Sequence, residues 1–387
     1  MQAFLKWVRR LSVFAVLAAL LAGVLMREEI YRLVAVNTLF EEDKIVKNFS
    51  SLNQAFRSQP VARGDMPVSA LPKGPALALN DDVTAWIEER AVTSFLVLHK
   101  GQIVHESYHL DTMEDDLRIG WALSKPYVSA LTGILLDEGA IGSLDDTVVQ
   151  YLPALKGTAY DGAKIVDLLQ MTSGVAFNED YLDYESDINR MGRELALGGT
   201  MDDFAASLFD KRGAPGDDWL YVSIDAHVLS MVLRAATGKT MTELLSEKLI
   251  EPMGLETEPY VLADSGGIAF APGGLNKTTR DFGRFGLMYA QMGQLTDIQV
   301  VPKDWVALST TPQAPTSPGE LGYGFHWWVP PNAEPGQFMA HGIYGQYIYV
   351  DQTKDLVIVA TAADRKFYEA GTHEANLSVF YKIADTL

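Results

Sequence analysis

One lysine of this sequence lies at a position where it could take part in catalysis. Lys125 precedes a largely apolar stretch, residues 128–138, which Gly139 ends, and this pattern predicts a buried helix. A lysine at the head of a buried helix is costly unless it is paired or used, because burial penalises its charge. Burial also lowers the pKa of the amine, so Lys125 could act as a general base.

The hydroxyl group that such a base would activate is missing. A residue three positions before the lysine shares its helix face, and that residue is Ala122. Ser124 points about 100° away around the helix, and Ser129, one turn later, is expected to pack inside. Neither serine is a good substitute, so the segment carries a base without its nucleophile.

A second pattern, His105-Glu-Ser-Tyr-His109, has the H-E-x-x-H spacing of zinc proteases. That chemistry needs a helix, so that both histidines share one face. Residues 94–99 and 102–108, on either side of Lys100-Gly101, instead predict a β-hairpin. On a strand the two histidines would be about 13 Å apart, too far for one zinc ion. We therefore expect neither a metal nor another cofactor.

The elements that must position Lys125 follow a recognisable order. Helices are predicted for residues 225–237 and 280–292 and for a last segment from residue 372. Paired strands are predicted for residues 345–350 and 356–361. Strands therefore occur at both ends of the main domain and helices in its middle. This order predicts an α+β fold, in which both chain ends form an antiparallel sheet around a helical insert.

Several segments occur in an order that a known family shares: residues 121–139, 144–153, 167–174, 273–281 and 322–328. Over about residues 95–363 the sequence resembles the serine β-lactamase and penicillin-binding-protein superfamily. The branch it resembles contains class C-like esterases and 6-aminohexanoate-oligomer hydrolases. The family carries S-x-x-K at the start of the helix, where Lys125 matches the lysine and Ala122 the serine. The resemblance implies a β-lactamase/transpeptidase-like fold, with an antiparallel sheet flanked by helices and a helical subdomain.

The resemblance also implies roles for residues in the middle of the chain. Tyr221-Val-Ser223 resembles the family's Y-x-N/S motif, whose tyrosine shuttles a proton to the leaving group, so Tyr221 is expected to be catalytic. Ser223 is expected to contact the substrate. Tyr181 is expected to hydrogen-bond the scissile amide, and Asp183 to recognise a substrate amine. A half-buried tyrosine at 221 and a solvated loop acid at 183 are the alternatives.

A third segment, His341-Gly342-Ile343, resembles the strand that replaces the K-T-G motif in this branch. The resemblance implies that the N–H groups of Ile343 and residue 122 form an oxyanion hole. Gly342 would let the backbone approach the substrate closely. His341 would hydrogen-bond near Tyr221 or to a substrate carboxylate, and a strand-edge histidine is the alternative.

Ala122 leaves two interpretations, because a methyl group cannot attack a carbonyl. The first is an engineered serine-to-alanine change in a serine hydrolase that cleaves small amides or esters through an acyl-enzyme. The second is a natural pseudo-hydrolase that binds a small amide or a cell-wall fragment without turnover. The retained Lys125, Tyr221 and His341-Gly342 favour the first, because a lineage without catalysis has no chemical reason to keep a buried lysine beside a tyrosine. On either interpretation this chain itself is expected to be inactive.

The first 26 residues predict where the protein is located. Three basic residues precede an uncharged run, residues 11–26, which spans about 24 Å as a helix. No pair of small residues with signal-peptidase spacing follows, so we expect an uncleaved inner-membrane anchor rather than a secreted protein with a cleaved signal peptide. The basic flank stays in the cytoplasm, which places an amphipathic connector (27–75) and a hydrolase domain (76–387) in the periplasm.

Composition limits the partners. A formal charge of -19 at pH 7 argues against nucleic acid, whose phosphates need a basic surface. With no cysteine in the chain, disulfides and thiolate chemistry are excluded. A small amide or ester remains the expected partner, and the sequence leaves the oligomeric state open.

Overall fold

The computed structural model describes the backbone of residues 1–387 and every side chain except those of residues 2, 3 and 5. The strands are β1 (Ser58–Pro60), β2 (Val92–His99), β3 (Gln102–Tyr108), β4 (Arg118–Ile119), β5 (Tyr260–Leu262), β6 (Leu275–Lys277), β7 (Gln294–Leu295), β8 (Ile298–Gln299), β9 (Gly322–Tyr323), β10 (Trp328–Val329), β11 (Gln337–Gly342), β12 (Gln346–Asp351) and β13 (Leu356–Ala362).

The helices are α1 (Gln2–Leu25), α2 (Arg27–Thr38), α3 (Ile45–Asn48), α4 (Leu52–Ala55), α5 (Asp81–Glu89), α6 (Lys125–Asp137), α7 (Val148–Tyr151), α8 (Ile165–Gln170), α9 (Asp187–Leu197), α10 (Met201–Ala206), α11 (Ser223–Thr237), α12 (Met241–Leu245), α13 (Glu251–Met253), α14 (Thr279–Ala290), α15 (Lys303–Ser309) and α16 (Thr372–Thr386). Short 3₁₀ helices cover Trp121–Ser124, Pro153–Leu155 and Gln352–Lys354, and a π-helix covers Ser246–Ile250.

The main sheet confirms the predicted antiparallel arrangement of the two chain ends. Its strand order is β3-β2-β13-β12-β11-β10-β9, so β2, from the start of the domain, pairs with β13, from its end. Every residue of β13 is buried, which explains why this strand is apolar almost throughout rather than alternating. Helix α14 covers one face of the sheet, and α5 and α16 cover the other.

The secondary structure predicted from sequence periodicity is confirmed with small shifts at the ends. The hairpin forms from β2 and β3, with His99 opposite Gln102. The H-E-x-x-H segment therefore lies on and just beyond a strand, where Glu106 pairs with Arg280 at 2.7 Å rather than facing both histidines on a helix. Helix α6 begins at Lys125, three residues earlier than the apolar pattern indicated.

The segment before the main domain packs against it. Strand β1 pairs antiparallel with β5, with Ser58 opposite Leu262, in a small sheet ordered β1-β5-β6-β4. Phe49 and Val61 are fully buried in the same core as the helices of the domain. Further towards the N-terminus, α2 packs along α9. Residues of the predicted connector thus form part of the folded unit.

Helix α1 stands apart from this core. Its segment Lys6–Leu25 has a mean hydropathy of 2.0 and none of it is buried. Length and composition are those of a helix that can cross a membrane, and a signal sequence near an N-terminus has the same properties.

Candidate active site

Residue 122 lies in the 3₁₀ turn that leads into α6. Trp121, immediately before it, adopts a left-handed backbone with φ of 47°. The ring of Phe49 packs edge-on against Trp121 at 5.5 Å, and Phe40 lies 5.9 Å from it. Non-glycine residues with positive φ are uncommon and concentrate at functional sites, where packing holds them in place. The turn is therefore a strained element supported by aromatic contacts.

Lys125 is buried, with 2% of its surface exposed. Its Nζ donates hydrogen bonds to Ser223 Oγ at 3.1 Å and to the carbonyl of Pro272 at 3.0 Å. Burial lowers the pKa of this amine to about 8, and the negative charge of Glu179 opposes that shift. Near neutral pH the amine can thus exchange a proton, as a general base requires.

Tyr221 lies beside this amine. The centroid of its ring is 5.0 Å from Lys125 Nζ, and the ring stacks on Trp328 at 5.2 Å. Burial raises the pKa of the phenol well above its usual value, so the hydroxyl keeps its proton. Tyr221 does not line the cavity described below. Its link to the site is the contact between its ring and the amine of Lys125.

A carboxylate that the sequence analysis did not assign joins these groups. Glu179 accepts hydrogen bonds from the backbone N–H of Ser223 at 2.9 Å, from the Ser223 hydroxyl and from Tyr181 Oη at 2.7 Å. From the sequence, Glu179 has no assigned role, and a solvated loop is considered only as the alternative for the nearby acid Asp183. One feature of the sequence could have indicated Glu179: it lies two residues before Tyr181, which was itself a candidate site residue.

The end of β11 runs directly against the turn at residue 122. A Cβ added to Gly342 would lie 2.8 Å from the carbonyl oxygen of Gly120 and 3.3 Å from the amide nitrogen of Ala122. Only glycine permits this approach. Within the described part of the chain, the amides of Ala122 and Ile343 donate no hydrogen bond. Two free N–H groups are thus held near each other at the site.

Two predicted site residues lie elsewhere. His341 stacks on Tyr347 at 4.6 Å, and burial together with the nearby His373 lowers its pKa to about 3. Its imidazole is therefore uncharged at neutral pH and is not a charge partner for a substrate carboxylate. Asp183 is exposed and accepts a hydrogen bond from the amide of Glu185 at 2.9 Å, within its own loop. The structure brings neither residue to the cavity.

A cavity of about 130 Å³ connects the remaining groups. Among the residues that line it are five of the predicted site residues: Ala122, Lys125, Tyr181, Ser223 and Ile343. Aliphatic and aromatic side chains from α2, α4, α9 and the β5–β6 region complete the walls. The arrangement combines a titratable amine, unpaired backbone N–H groups and an apolar pocket, which suits acyl transfer apart from the missing nucleophile.

Comparison with known proteins relates this geometry to a family. The family model described as Beta-lactamase matches residues 79–378. The 6-aminohexanoate-dimer hydrolase of Paenarthrobacter ureafaciens is 29% identical over 324 residues, which cover 80% of each chain. A proposed 6-aminohexanoate-dimer hydrolase from Bacillus anthracis has a similar structure, with a TM-score of 0.78, 22% identity and coverage of 90% of this chain and 95% of that one. A class C beta-lactamase aligns with a TM-score of 0.59 and 17% identity, over 79% of this chain and 94% of its own.

Proposed function

Because the chain belongs to the beta-lactamase family, we propose that its cavity is the active site of a serine hydrolase of small amides or esters in which Ala122 replaces the nucleophile. The single observation that carries this proposal is the shared cavity of Ala122, Lys125 and Ile343, where the amine is buried with a lowered pKa. The two relatives named as 6-aminohexanoate-dimer hydrolases support amides as one substrate class.

The reaction follows from these positions once a serine stands at residue 122. The neutral amine of Lys125 takes the proton of the hydroxyl as the oxygen attacks the substrate carbonyl. The N–H groups of Ile343 and residue 122 stabilise the negative oxygen that forms. Tyr221 relays the proton to the leaving amine or alcohol, which leaves an acyl-enzyme. Water then attacks the ester, and the same groups act in reverse.

Neighbouring residues then position the substrate. Ser223 and Tyr181 line the cavity and share the Glu179 carboxylate, which fixes their side chains next to the reacting bond. Gly342 keeps the oxyanion amides close to each other. Contact with His341 or Asp183 would require a substrate that extends beyond the cavity.

A second function, binding without turnover, is favoured by Ala122 itself. The two proposals differ in what restoring the hydroxyl does. With Ala122→Ser we expect p-nitrophenyl ester hydrolysis to increase on the order of 10³-fold or more, because the nucleophile carries most of the rate. Intact mass spectrometry should detect a covalent adduct with a fluorophosphonate or penicillin probe.

The matched control places Lys125→Met in the Ala122→Ser chain. It should abolish the gain, because the serine then lacks its base. A folded Ala122→Ser protein that neither hydrolyses an ester nor forms an adduct would leave the binding protein as the better description. Hydrolysis that persists without the lysine would exclude the mechanism above.

For location, we propose that α1 is an uncleaved inner-membrane anchor and that the hydrolase domain, residues 76–387, lies in the periplasm together with the connector, residues 27–75, which packs against it. The exposed, apolar surface of Lys6–Leu25 supports the anchor. We expect intact mass spectrometry to find a protein that still includes residue 1. We also expect the protein to sediment with the membrane fraction after carbonate extraction. A mature protein without these residues would instead indicate secretion after signal cleavage.

A further inference from the structure

We propose that the cavity binds an uncharged, aliphatic acyl chain of the substrate and that residues 36–40, just after the candidate membrane helix, form one of its walls. The inference rests on the proposed hydrolase function and names the substrate class of that site. Amides or esters of medium-chain fatty acids are the chemistry that fits.

The N-terminal segment is built into the site. Val36 of α2, with Leu39 and Phe40 immediately after it, lines the cavity that also contains Ala122 and Lys125. The ring of Phe40 stacks on Tyr344 at 4.6 Å with an interplanar angle of 12°. Tyr344 directly follows Ile343, so the N-terminal wall contacts the loop that carries the oxyanion amide.

A second wall is an apolar helix face. Ile188, Met191 and Leu195 of α9 line the cavity, and their spacing of three and four residues places them on one side of the helix. The buried side chains of Phe270 and Leu262 also line the cavity. A ligand beyond the reacting carbonyl would therefore contact mostly carbon atoms, with the side-chain amide of Asn189 as the polar exception.

Charge distinguishes an aliphatic chain from a linear amino-acid oligomer. Among the described side chains that line the cavity, Lys125 is the one with an ionisable amine, and none carries a carboxylate. Lys125 already binds Ser223 and Pro272. The amide of Asn189 in this part of the wall is uncharged, so a terminal ammonium or carboxylate there would have no opposite charge beside it, and burying an unpaired charge is strongly unfavourable.

The size of the cavity sets the chain length. A water molecule needs roughly 10–15 Å³ of such space, so a cavity of about 130 Å³ has room for on the order of ten heavy atoms. A six- to ten-carbon acyl group is of that order.

The first experiment measures binding to the chain as it is, with Ala122. Isothermal titration calorimetry with butanamide, hexanamide and octanamide should show Kd falling by about fourfold for each added CH₂. Heptanamide and 6-aminohexanamide form a matched pair, since a methyl replaces an ammonium of similar size. The charged amide should bind at least about tenfold more weakly. Equal or tighter binding of the charged amide would refute the proposal.

The second experiment fills the cavity. A Cβ on Gly192, which lines the cavity on α9, would meet nothing within 4 Å, so the side chain of Gly192→Leu starts in open space at the cavity wall. Octanamide should bind at least about tenfold more weakly and butanamide within about twofold of the parent. The control Glu194→Leu adds the same side chain at an exposed position of the same helix. It should change the affinity for neither octanamide nor butanamide. Unchanged octanamide binding to Gly192→Leu would overturn the assignment.

A third measurement separates this inference from the proposed function. The Ala122→Ser chain should hydrolyse p-nitrophenyl octanoate with a higher kcat/KM than the acetate. Hydrolysis of acetate without a preference for octanoate would refute the acyl pocket and leave the hydrolase standing. Tight octanamide binding with no hydrolysis of either ester would refute the hydrolase function. The aliphatic acyl group would then be a bound ligand and not part of a substrate.

Discussion

Glu179 and Ser223 are joined by two hydrogen bonds, because one carboxylate accepts both the backbone N–H, at 2.9 Å, and the hydroxyl of the same serine. The serine oxygen in turn accepts a hydrogen bond from Lys125 Nζ at 3.1 Å. The acid therefore fixes the serine that positions the amine, and its charge acts on that amine without direct contact. Two of the predictions below depend on this relationship.

The reactivity of Lys125 should appear as a pH dependence. Its pKa in the fold is about 8, and only the neutral amine can accept a proton. In the Ala122→Ser chain, kcat/KM for a p-nitrophenyl ester should rise about tenfold per pH unit below this value and level off above it. Rates measured from pH 6 to 10 check this, and a profile that is flat across pH 8 would contradict it.

Removing the charge of Glu179 should shift that profile. The carboxylate raises the pKa of Lys125, so Glu179→Gln should lower it and move the rising limb of the rate to lower pH. Glu185→Gln removes an exposed acid from the same loop and should leave the limb in place. The comparison is made in the Ala122→Ser chain, and a shift to higher pH would exclude the proposed electrostatic role.

Gly342 should tolerate no side chain. Gly342→Ala would place a carbon 2.8 Å from the carbonyl oxygen of Gly120, and both are backbone positions that cannot swing away. We expect a loss of about 1–3 kcal/mol in unfolding free energy and loss of hydrolysis in the Ala122→Ser chain. Gly213→Ala, where the added carbon meets nothing within 4 Å, is the control. Urea denaturation measures both, and equal stability of the two variants would be inconsistent with the close approach.

Two helical glycines should respond in opposite directions to alanine. In α6, a Cβ on Gly133 would lie 2.2 Å from the indole ring of Trp305, so Gly133→Ala should destabilise the protein by about 1–3 kcal/mol. In α9, Gly192→Ala meets no atom within 4 Å and should stabilise it by about 0.5–1 kcal/mol through helix propensity. Thermal unfolding of the two variants shows whether each is more or less stable than the parent. A Gly133→Ala protein that is more stable would contradict this packing.

A second buried lysine should make stability depend on pH. Lys277 Nζ donates a hydrogen bond to Tyr127 Oη at 2.9 Å, and burial lowers its pKa from 10.5 to about 7. Between these values the unfolded chain binds the extra proton, so this group makes stability rise with pH from about 7 to 10.5. Below about pH 7 the lysine is protonated in both states, and its contribution no longer changes.

The substitution Lys277→Met removes that contribution. Its slope of unfolding free energy against pH, between about 7.5 and 9.5, should be smaller than that of the parent by on the order of 1 kcal/mol per pH unit. Lys156→Met changes an exposed lysine and should preserve the slope. Urea denaturation at several pH values measures it, and identical slopes for Lys277→Met and the parent would show that the amine is not the source.

The local secondary structure and the type of chemistry could be predicted from the sequence alone. Residues 100–101 between two β-patterned runs specify the hairpin, and the apolar stretch after Lys125 specifies helix α6, because both depend on neighbours within a few residues. The spacing of Ala122 and Lys125 indicated a base without its nucleophile for the same reason. The order of further motifs indicated the family, which the comparisons confirm.

Which residues from distant parts of the chain meet at the site depends on tertiary packing and could not be predicted from the sequence. Glu179 contacts Ser223, 44 residues away, and Phe40 stacks on Tyr344 near the other end of the chain. His341 and Asp183 were both predicted to contact the substrate, but His341 stacks on Tyr347 and Asp183 is exposed to solvent. Such contacts depend on how the loops and terminal segments pack against the core. Periodicity along the chain records which face of an element is buried, and it holds no information about which remote residue covers that face.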